Sequence, residues 1–549
     1  MNLITRKYGI PGMLVALLLL IASFPAVYSH LNCRILPEDD AFITYRYAEN
    51  ICRGYGPVYN PGSRVFGSTT PLYMVWLSCL KCFLPSIAAP TLAVRLNFIH
   101  FILAGYLLFA VVLNLTRSRI AGTAAAMFFL VHPEMLKISI GGMESFMFLW
   151  IVLAGFWKAL EGKPVRACAL AGISALVRPE GVVCFAALLP LVFQRNLKQL
   201  GLSVLAFAAS PLAWAIPALL YFGSPVPHSI IAKSAPLYPL PPGHAFTAIL
   251  GEMELWLTRG RLAAFHTRET APYAGLVVLV LSFHAAILGL LFSGIEQTGW
   301  WNSLENRKRS LCVFLFFVSV TGFYAVTNPL YCSWYSPLIF TPWIILLTTG
   351  ARGYSLLRQS PSRQKILHPQ SVIASGAPLL LGIWMLWNIA VSWSDTYYKS
   401  RGSFASLGRR YDNATLRIKA YRRAAEWLNR NAEPDSTVLS AEVGSLGFYY
   451  RGPVIDACGL VSPESVNYLP VPPAQRVAPE ASAVNAELVR NLKPDYVVSM
   501  WAFSANSIDR SEWFSKNYYA ARRFPLEIHP PETRLWGSKE VTLYRKMRK

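Results

Sequence analysis

Residues 8–28 read YGIPGMLVALLLLIASFPAVY, and nine residues later the chain reaches Pro37-Glu38-Asp39-Asp40-Ala41-Phe42-Ile43-Thr44-Tyr45-Arg46-Tyr47. An apolar run of about 20 residues is long enough to span a bilayer, so three consecutive carboxylates fall where a membrane helix should surface into water. The run follows Arg6 and Lys7 and lacks a clear small-residue cleavage site, which makes it an uncleaved first helix rather than a signal peptide. After the acids come an aromatic and arginine-bearing helix and a loop rich in Gly, Asn and Pro over 54–71. Only 15% of the chain is charged, against about a quarter in soluble proteins. Acids clustered at a membrane surface therefore need a reason, and catalysis is the leading one.

The rest of the chain extends the same reading. It has 549 residues, 54% of them hydrophobic, and a mean hydropathy of +0.37. Apolar blocks fall at 8–29, 92–115, 119–132, 143–160, 166–177, 180–194, 200–222, 272–293, 310–327, 335–350 and 371–393. That is a polytopic α-helical membrane protein with about 11 crossings. The shorter blocks, 119–132 and 166–177, read as tilted, as extended into polar turns, or as broken helices lining a cavity. The net charge of +22 lies largely in short basic runs between the blocks, the pattern of cytoplasmic loops facing anionic lipid rather than of a nucleic-acid binder.

Those runs (Arg6-Lys7, Arg117 with Arg119, Lys163 with Arg166, Arg195 with Lys198, Arg307-Lys308-Arg309 and 352–365) set an inside N-terminus and an outside C-terminus. The parity holds only if Pro71–Phe83 lies along or dips into the outer face instead of crossing. The polar stretches 31–70, 132–144, 178–181, 222–270 and 328–335 then gather outside, with the acids among them. From Asp395 the chain turns more polar. Helical patterns at 415–429 and 484–492 and strand-length runs at 437–441, Tyr496–Met500 and 541–544 predict a soluble α/β domain. The expected organisation is a membrane domain over 1–394 and an outward-facing domain over 395–549. Cys33 and Cys52 flank the acidic stretch and would pair on an oxidising side, the alternative being two free thiols.

On a helix over 39–50, Asp39, Ile43, Arg46 and Asn50 share one stripe, and Asp40, Thr44 and Tyr47 the next. The acid can take a proton from an acceptor hydroxyl while the arginine holds an anionic leaving group. An exposed acidic N-cap is the plainer alternative.

The stretch 39–50, then Gly54-Tyr55-Gly56-Pro57-Val58-Tyr59-Asn60-Pro61-Gly62 and Gly67-Ser68-Thr69-Thr70-Pro71-Leu72, resembles the first outer loop of bacterial GT-C glycosyltransferases. The likeness points to the branch containing the mycobacterial terminal arabinofuranosyltransferase. Gly141-Gly142-Met143-Glu144-Ser145, Arg178-Pro179-Glu180-Gly181 and Phe222-Gly223-Ser224-Pro225-Val226-Pro227-His228-Ser229 with Ala232-Lys233 resemble further motifs of that branch, in order. Glu442-Val443-Gly444-Ser445-Leu446-Gly447 and Asp456-Ala457-Cys458-Gly459-Leu460 look like the soluble domain of related transferases.

The resemblance implies an inner-membrane enzyme that moves a sugar, such as arabinofuranose or another pentose or hexose, from a polyprenyl-phosphate donor. The acceptor would be a cell-envelope glycan, lipid or protein on the outer face, and the anomeric centre would invert. It assigns the base to Asp39 or Asp40, with Asp39 preferred. The donor phosphate is a stable leaving group that needs cations more than a general acid, a logic akin to inverting glycoside chemistry. The outer-face cations are Arg46, Arg178, His228 and Lys233, although Arg178 could instead form a salt bridge with Glu180, Lys233 could snorkel and His228 could be a solvated loop residue. His132, Glu144, Glu180 and Tyr335 are candidate sugar or acceptor contacts. No cofactor is implied. A divalent ion on His132, Glu134 and Glu144 is the alternative to hydrogen bonding there. Tyr331, Trp334 and Tyr335 suit a sugar ring or an interfacial aromatic belt. Rival readings are a protein O-mannosyltransferase-like or aminoarabinose transferase-like enzyme and, in another class, a lipid or sugar transporter. A transporter should show inverted halves, and no repeat is evident.

Overall fold

The computed structural model describes residues 11–32, 36–192, 196–234, 240–258, 304–358, 387, 390, 409–478, 481–526 and 538–548. The blocks 272–293 and 371–393 and the boundary at 395 lie outside or almost wholly outside these residues. In the membrane part the helices are α1 (Gly12–Asn32), α2 (Asp39–Cys52), α3 (Pro71–Phe83), α4 (Ala89–Thr116), α5 (Arg119–Val131), α6 (Pro133–Ile140), α7 (Ser145–Leu160), α8 (Pro164–Val177), α9 (Gly181–Val192), α10 (Leu197–Phe222), α11 (His228–Ser234), α12 (His244–Thr258), α13 (Leu304–Thr327) and α14 (Ser336–Arg358).

Among the described residues α1, α4 and α10 are long and apolar enough to cross a membrane unaided. The block 119–132 is a broken pair: α5 and α6 meet at Pro133 with a bend of 56°, as expected where a proline removes a helical N–H. Large apolar side chains on α1 (Leu17, Leu20, Ile21) and α10 (Leu205, Ile216, Leu220) stand exposed. A continuous apolar surface of that kind belongs in lipid, not water.

The two ends of the bundle differ in chemistry. At one end Lys158 and Lys163 pair with Glu161, and Arg309 reaches Asn114 and the Leu160 carbonyl. Two of the runs read as cytoplasmic, those holding Lys163 and Arg309, thus meet there. At the other end sit the acidic helix α2 and the soluble part. The 13 residues of α3 rise about 20 Å, short of a hydrocarbon core of about 30 Å. The last turn of α3 is stapled to that of α2 by a Cys52–Cys82 disulfide and by Lys81, 3.5 Å from Glu49. Cys52 therefore pairs with Cys82, and the expected Cys33 partnership is corrected. Helix geometry explains the choice, because it brings the two last turns side by side.

The soluble part carries α15 (Arg409–Asn431), β1 (Val438–Ser440), α16 (Gly444–Tyr449), β2 (Val454–Asp456), α17 (Ala486–Leu492), β3 (Tyr496–Met500), α18 (Glu512–Asn517), β4 (Tyr518–Pro525) and β5 (Glu540–Lys546). The sheet order is β2-β1-β3-β5-β4, parallel among β1, β2 and β3 and antiparallel at β5 and β4. β1 and β3 are buried throughout, as expected of central strands in a covered parallel sheet.

Closing the loop between Cys52 and Cys82 removes about 3–4 kcal/mol of unfolded-chain entropy. Peptide mapping without reductant should recover a Cys52–Cys82 cross-link; a Cys33–Cys52 peptide in its place would overturn this pairing.

Candidate active site

The acidic helix opens the site, and its two aspartates face different bodies. Asp39 is buried, and both of its oxygens are taken: Oδ2 accepts the Gly444 N–H at 3.1 Å and Oδ1 that of Ser445 at 2.8 Å. These are the first amides of α16, so Asp39 serves as a carboxylate cap across the domain joint, satisfying N–H groups that a helix start leaves unpaired. Only glycine fits at Gly444, because a side chain there would run into the Asp39 main-chain oxygen. Burial raises the Asp39 pKa, and the Arg417 charge and the two amides oppose that rise.

Asp40 is exposed and, among the described residues, makes no hydrogen bond or ion pair. Its charge reaches Lys233 and Cys332 of the membrane part, Glu144 behind them, and Glu442 and Asp456 of the soluble part. It therefore stands in the opening between the two parts.

Arg46 departs from its expected role. Its Nε donates to the Tyr59 carbonyl at 2.7 Å, Nη1 to the carbonyls of Gly447 and Tyr450, and Nη2 to Asn60 Oδ1 at 3.1 Å and the Gly452 carbonyl at 3.0 Å. All five guanidinium N–H groups thus have an acceptor inside the protein, leaving none for a phosphate. Asn60 completes the joint: its side chain accepts the Val454 N–H at 3.1 Å and donates to the Val454 carbonyl at 2.8 Å. The Tyr59 hydroxyl donates to the Val443 carbonyl at 2.5 Å. The Tyr-Asn-Pro-Gly loop is a docking device for the sheet.

Glu144 sits after a turn that glycine permits. Gly142 has φ +69°, and its carbonyl accepts from the hydroxyls of Tyr45 at 2.9 Å and Tyr73 at 2.8 Å. Glu144 takes Arg178 Nη1 at 2.8 Å, while Glu180 takes Nη2 at 2.8 Å and the Tyr324 hydroxyl at 2.7 Å. Tyr335 lies beneath the Arg178 guanidinium at 4.8 Å. Both carboxylates engage the one guanidinium, so Arg178 is not a free phosphate cation but the centre of an ion network. That corrects its donor-binding role, although Glu144, Glu180 and Tyr335 do come together around it.

His228 is corrected too. Burial lowers its pKa against the opposing Glu464 charge and the Gly459 carbonyl, which leaves a neutral ring turned toward the soluble part. Its main-chain N–H donates to the Phe66 carbonyl at 2.6 Å. Lys233 is exposed and makes no hydrogen bond or ion pair among the described residues. Partial desolvation opposes its charge, but Tyr335, Asp40 and Cys332 outweigh that and raise its pKa, so the amine stays charged. His132 is fully buried and packs between Phe128 and Phe340 at 5.4 and 4.5 Å. Among the described residues no three His, Cys, Asp or Glu side chains gather as a metal site would require.

Two further residues belong to this opening. Arg417 of α15 pairs with Glu442 at 2.7 Å and lies within the fields of Asp39 and Glu38. Burial pushes Glu442 up to about 8 even against Arg417. The Glu-Val-Gly-Ser motif pointed to Glu442, but nothing near Arg417 in sequence singled it out from the other basic residues of its helix.

The fold, a helical bundle with an α/β part docked over its acidic end, is similar to that of two solved structures. ArnT from Cupriavidus metallidurans bound to undecaprenyl phosphate matches with a TM-score of 0.55 at 11% identity, covering 97% of this chain and 98% of that one. Archaeal oligosaccharyltransferase AglB from Archaeoglobus fulgidus, in complex with an inhibitory peptide and a dolichol-phosphate, matches at 0.53 and 13% identity, over 94% and 74%. In sequence, 218 residues are 27% identical to the terminal beta-(1->2)-arabinofuranosyltransferase of Mycobacterium tuberculosis, covering 36% of this chain and 35% of that protein. The match thus spans about a third of the curated relative. Residues 410–544 match a family model described as a domain of unknown function (DUF8728).

Replacing Arg46 by Ala removes the five hydrogen bonds of its guanidinium and should cost at least about 3 kcal/mol. Limited proteolysis should then release the C-terminal part, and unchanged protease resistance would remove Arg46 from the joint. Asp39→Asn should lower the melting temperature, whereas Asp40→Asn should leave it unmoved.

Proposed function

We propose that this chain is an integral-membrane glycosyltransferase that moves a sugar from a polyprenyl-phosphate carrier to a cell-envelope acceptor with inversion. One observation carries the reading: Asp40 is an exposed carboxylate without a hydrogen-bond or ion-pair partner among the described residues, and its charge acts on the unpaired amine of Lys233. A base and a phosphate-binding cation are what this reaction asks of a protein, since the lipid phosphate leaves as a stable anion and the acceptor hydroxyl must lose its proton. The base is thus Asp40 rather than Asp39, whose lone pairs are committed to α16. Lys233 holds the leaving phosphate as a point charge.

The carriers named for the two fold neighbours, undecaprenyl phosphate and dolichol-phosphate, support a polyprenyl-phosphate donor. The curated relative supports arabinofuranose ahead of other pentoses and hexoses. The Glu144–Arg178–Glu180 network with Tyr335 forms the wall against which the sugar hydroxyls pack. The reading sets the enzyme in the inner membrane, with residues 395–549 and the site on the periplasmic side.

In purified protein given a lipid-linked sugar, Asp40→Asn should cut transfer by about 10²–10⁴-fold, the usual scale of general-base loss, with donor binding retained. Lys233→Ala should weaken donor binding by about tenfold. Full turnover in Asp40→Asn would sink the assignment of the base.

A further inference from the structure

A second concavity lies on the soluble part, away from the opening. It is a groove of about 560 Å³ between α15 and the edge strand β4, lined by Arg423, Arg430, Arg522 and Arg523 with Glu426, Trp427 and Phe524. That volume falls within the range of small-molecule sites, about 300–1,000 Å³. Four guanidinium groups face one carboxylate along its wall. Arg522 has no hydrogen-bonding or ion-pairing side-chain partner among the described residues. Arg430 meets only the Glu426 carbonyl, at 3.0 Å, and Arg523 reaches Glu540 only at 3.5 Å.

β4 is built to present these charges. A bulge at Ala521 breaks its pairing with β5 between Ala520 and Arg522. Arg522 and Arg523 follow the bulge on this edge strand, and both are exposed and line the groove. The basic surface also continues toward the site. Lys419 and Arg422 line a shallower hollow one to two turns back along α15, with Arg422 stacked over Tyr449 at 4.7 Å. Arg417, on the same helix, pairs with Glu442 beside Asp39. From Arg417 to Arg430 the helix rises about 20 Å.

We propose that this groove is an acceptor subsite for an anionic saccharide, in which carboxylate- or phosphate-bearing sugars lie against Trp427 with their charges on Arg430, Arg522 and Arg523. Guanidinium forks match carboxylate and phosphate geometry, and the indole offers a flat apolar face to a sugar ring. A lipid-headgroup patch would be rimmed by exposed apolar side chains that enter the acyl layer. Among the described residues none of the exposed large apolar side chains lines this groove. The proposal rests on the transferase reading for the word acceptor, since a polymer bound here would extend along α15 and present its end at Asp40.

The test is calorimetric titration of the purified full chain with tetragalacturonate, alongside neutral maltotetraose, inorganic phosphate and glycerol 1-phosphate as the free lipid headgroup. Tetragalacturonate should bind, weaken as salt is raised and weaken at least about tenfold in both Arg522→Ala with Arg523→Ala and Arg430→Glu. Maltotetraose should not bind. Unchanged tetragalacturonate affinity in both variants would overturn the subsite, as would glycerol 1-phosphate or inorganic phosphate binding as tightly as the tetramer. The titration needs no turnover, so failure of the transferase reading is read separately from Asp40→Asn kinetics.

Discussion

The guanidinium of Arg46 is buried with no carboxylate beside it; its charge is solvated by carbonyls from its own loop and from the far side of the joint, and by Asn60. Taking a cation out of water costs several kcal/mol unless every donor is matched. Here the match exists only when the first loop, α16 and the 450–452 turn are all in place. This requirement couples the membrane part to the soluble part: α2 cannot settle without the sheet, and α16 cannot approach without the glycine that lets it meet Asp39. The reactive opening is what remains between two bodies held at a distance set by these contacts.

Much of the architecture could be read from the residues, because lipid imposes blunt rules. Among the described residues apolar blocks became helices, the runs holding Lys163 and Arg309 met at one end, and the strands at Tyr496–Met500 and near 438 and 541 appeared where strand-length apolar runs predicted them. What escaped was decided by contacts between residues far apart in sequence. Asp39 and Asp40 are neighbours, yet successive helix positions point about 100° apart, and only the arrival of Gly444 and Ser445 shows which acid is spent. The same holds for Cys52, whose partner depends on two helix ends meeting, and for Arg178, where the sequence left open a phosphate or a Glu180 salt bridge and the fold supplied that bridge with Glu144 beside it. β2 is three residues long, and β4 carries a bulge, so neither shows a periodicity that stands out.

The electrostatics of the opening favour a substrate that arrives with its own charge. Glu144 and Glu180 outnumber Arg178, and Asp40 adds a further acid, so Lys233 is the free cation among the described residues of this wall. A phosphate entering from the lipid is drawn to that amine and repelled elsewhere, which orients the carrier before any sugar contact forms. Tyr324 and Tyr335, packed 5.2 Å apart beside the ion network, keep water from loosening it.

Asn60 has one more effect. Its amide meets both the N–H and the carbonyl of Val454, as a neighbouring strand would, at the outermost strand of the sheet. An open strand edge invites pairing with another chain. The membrane half therefore finishes the sheet of the other half, and severing the two would bare a template for aggregation. For that reason the C-terminal part is a poor candidate for a free-standing module, however water-facing its composition.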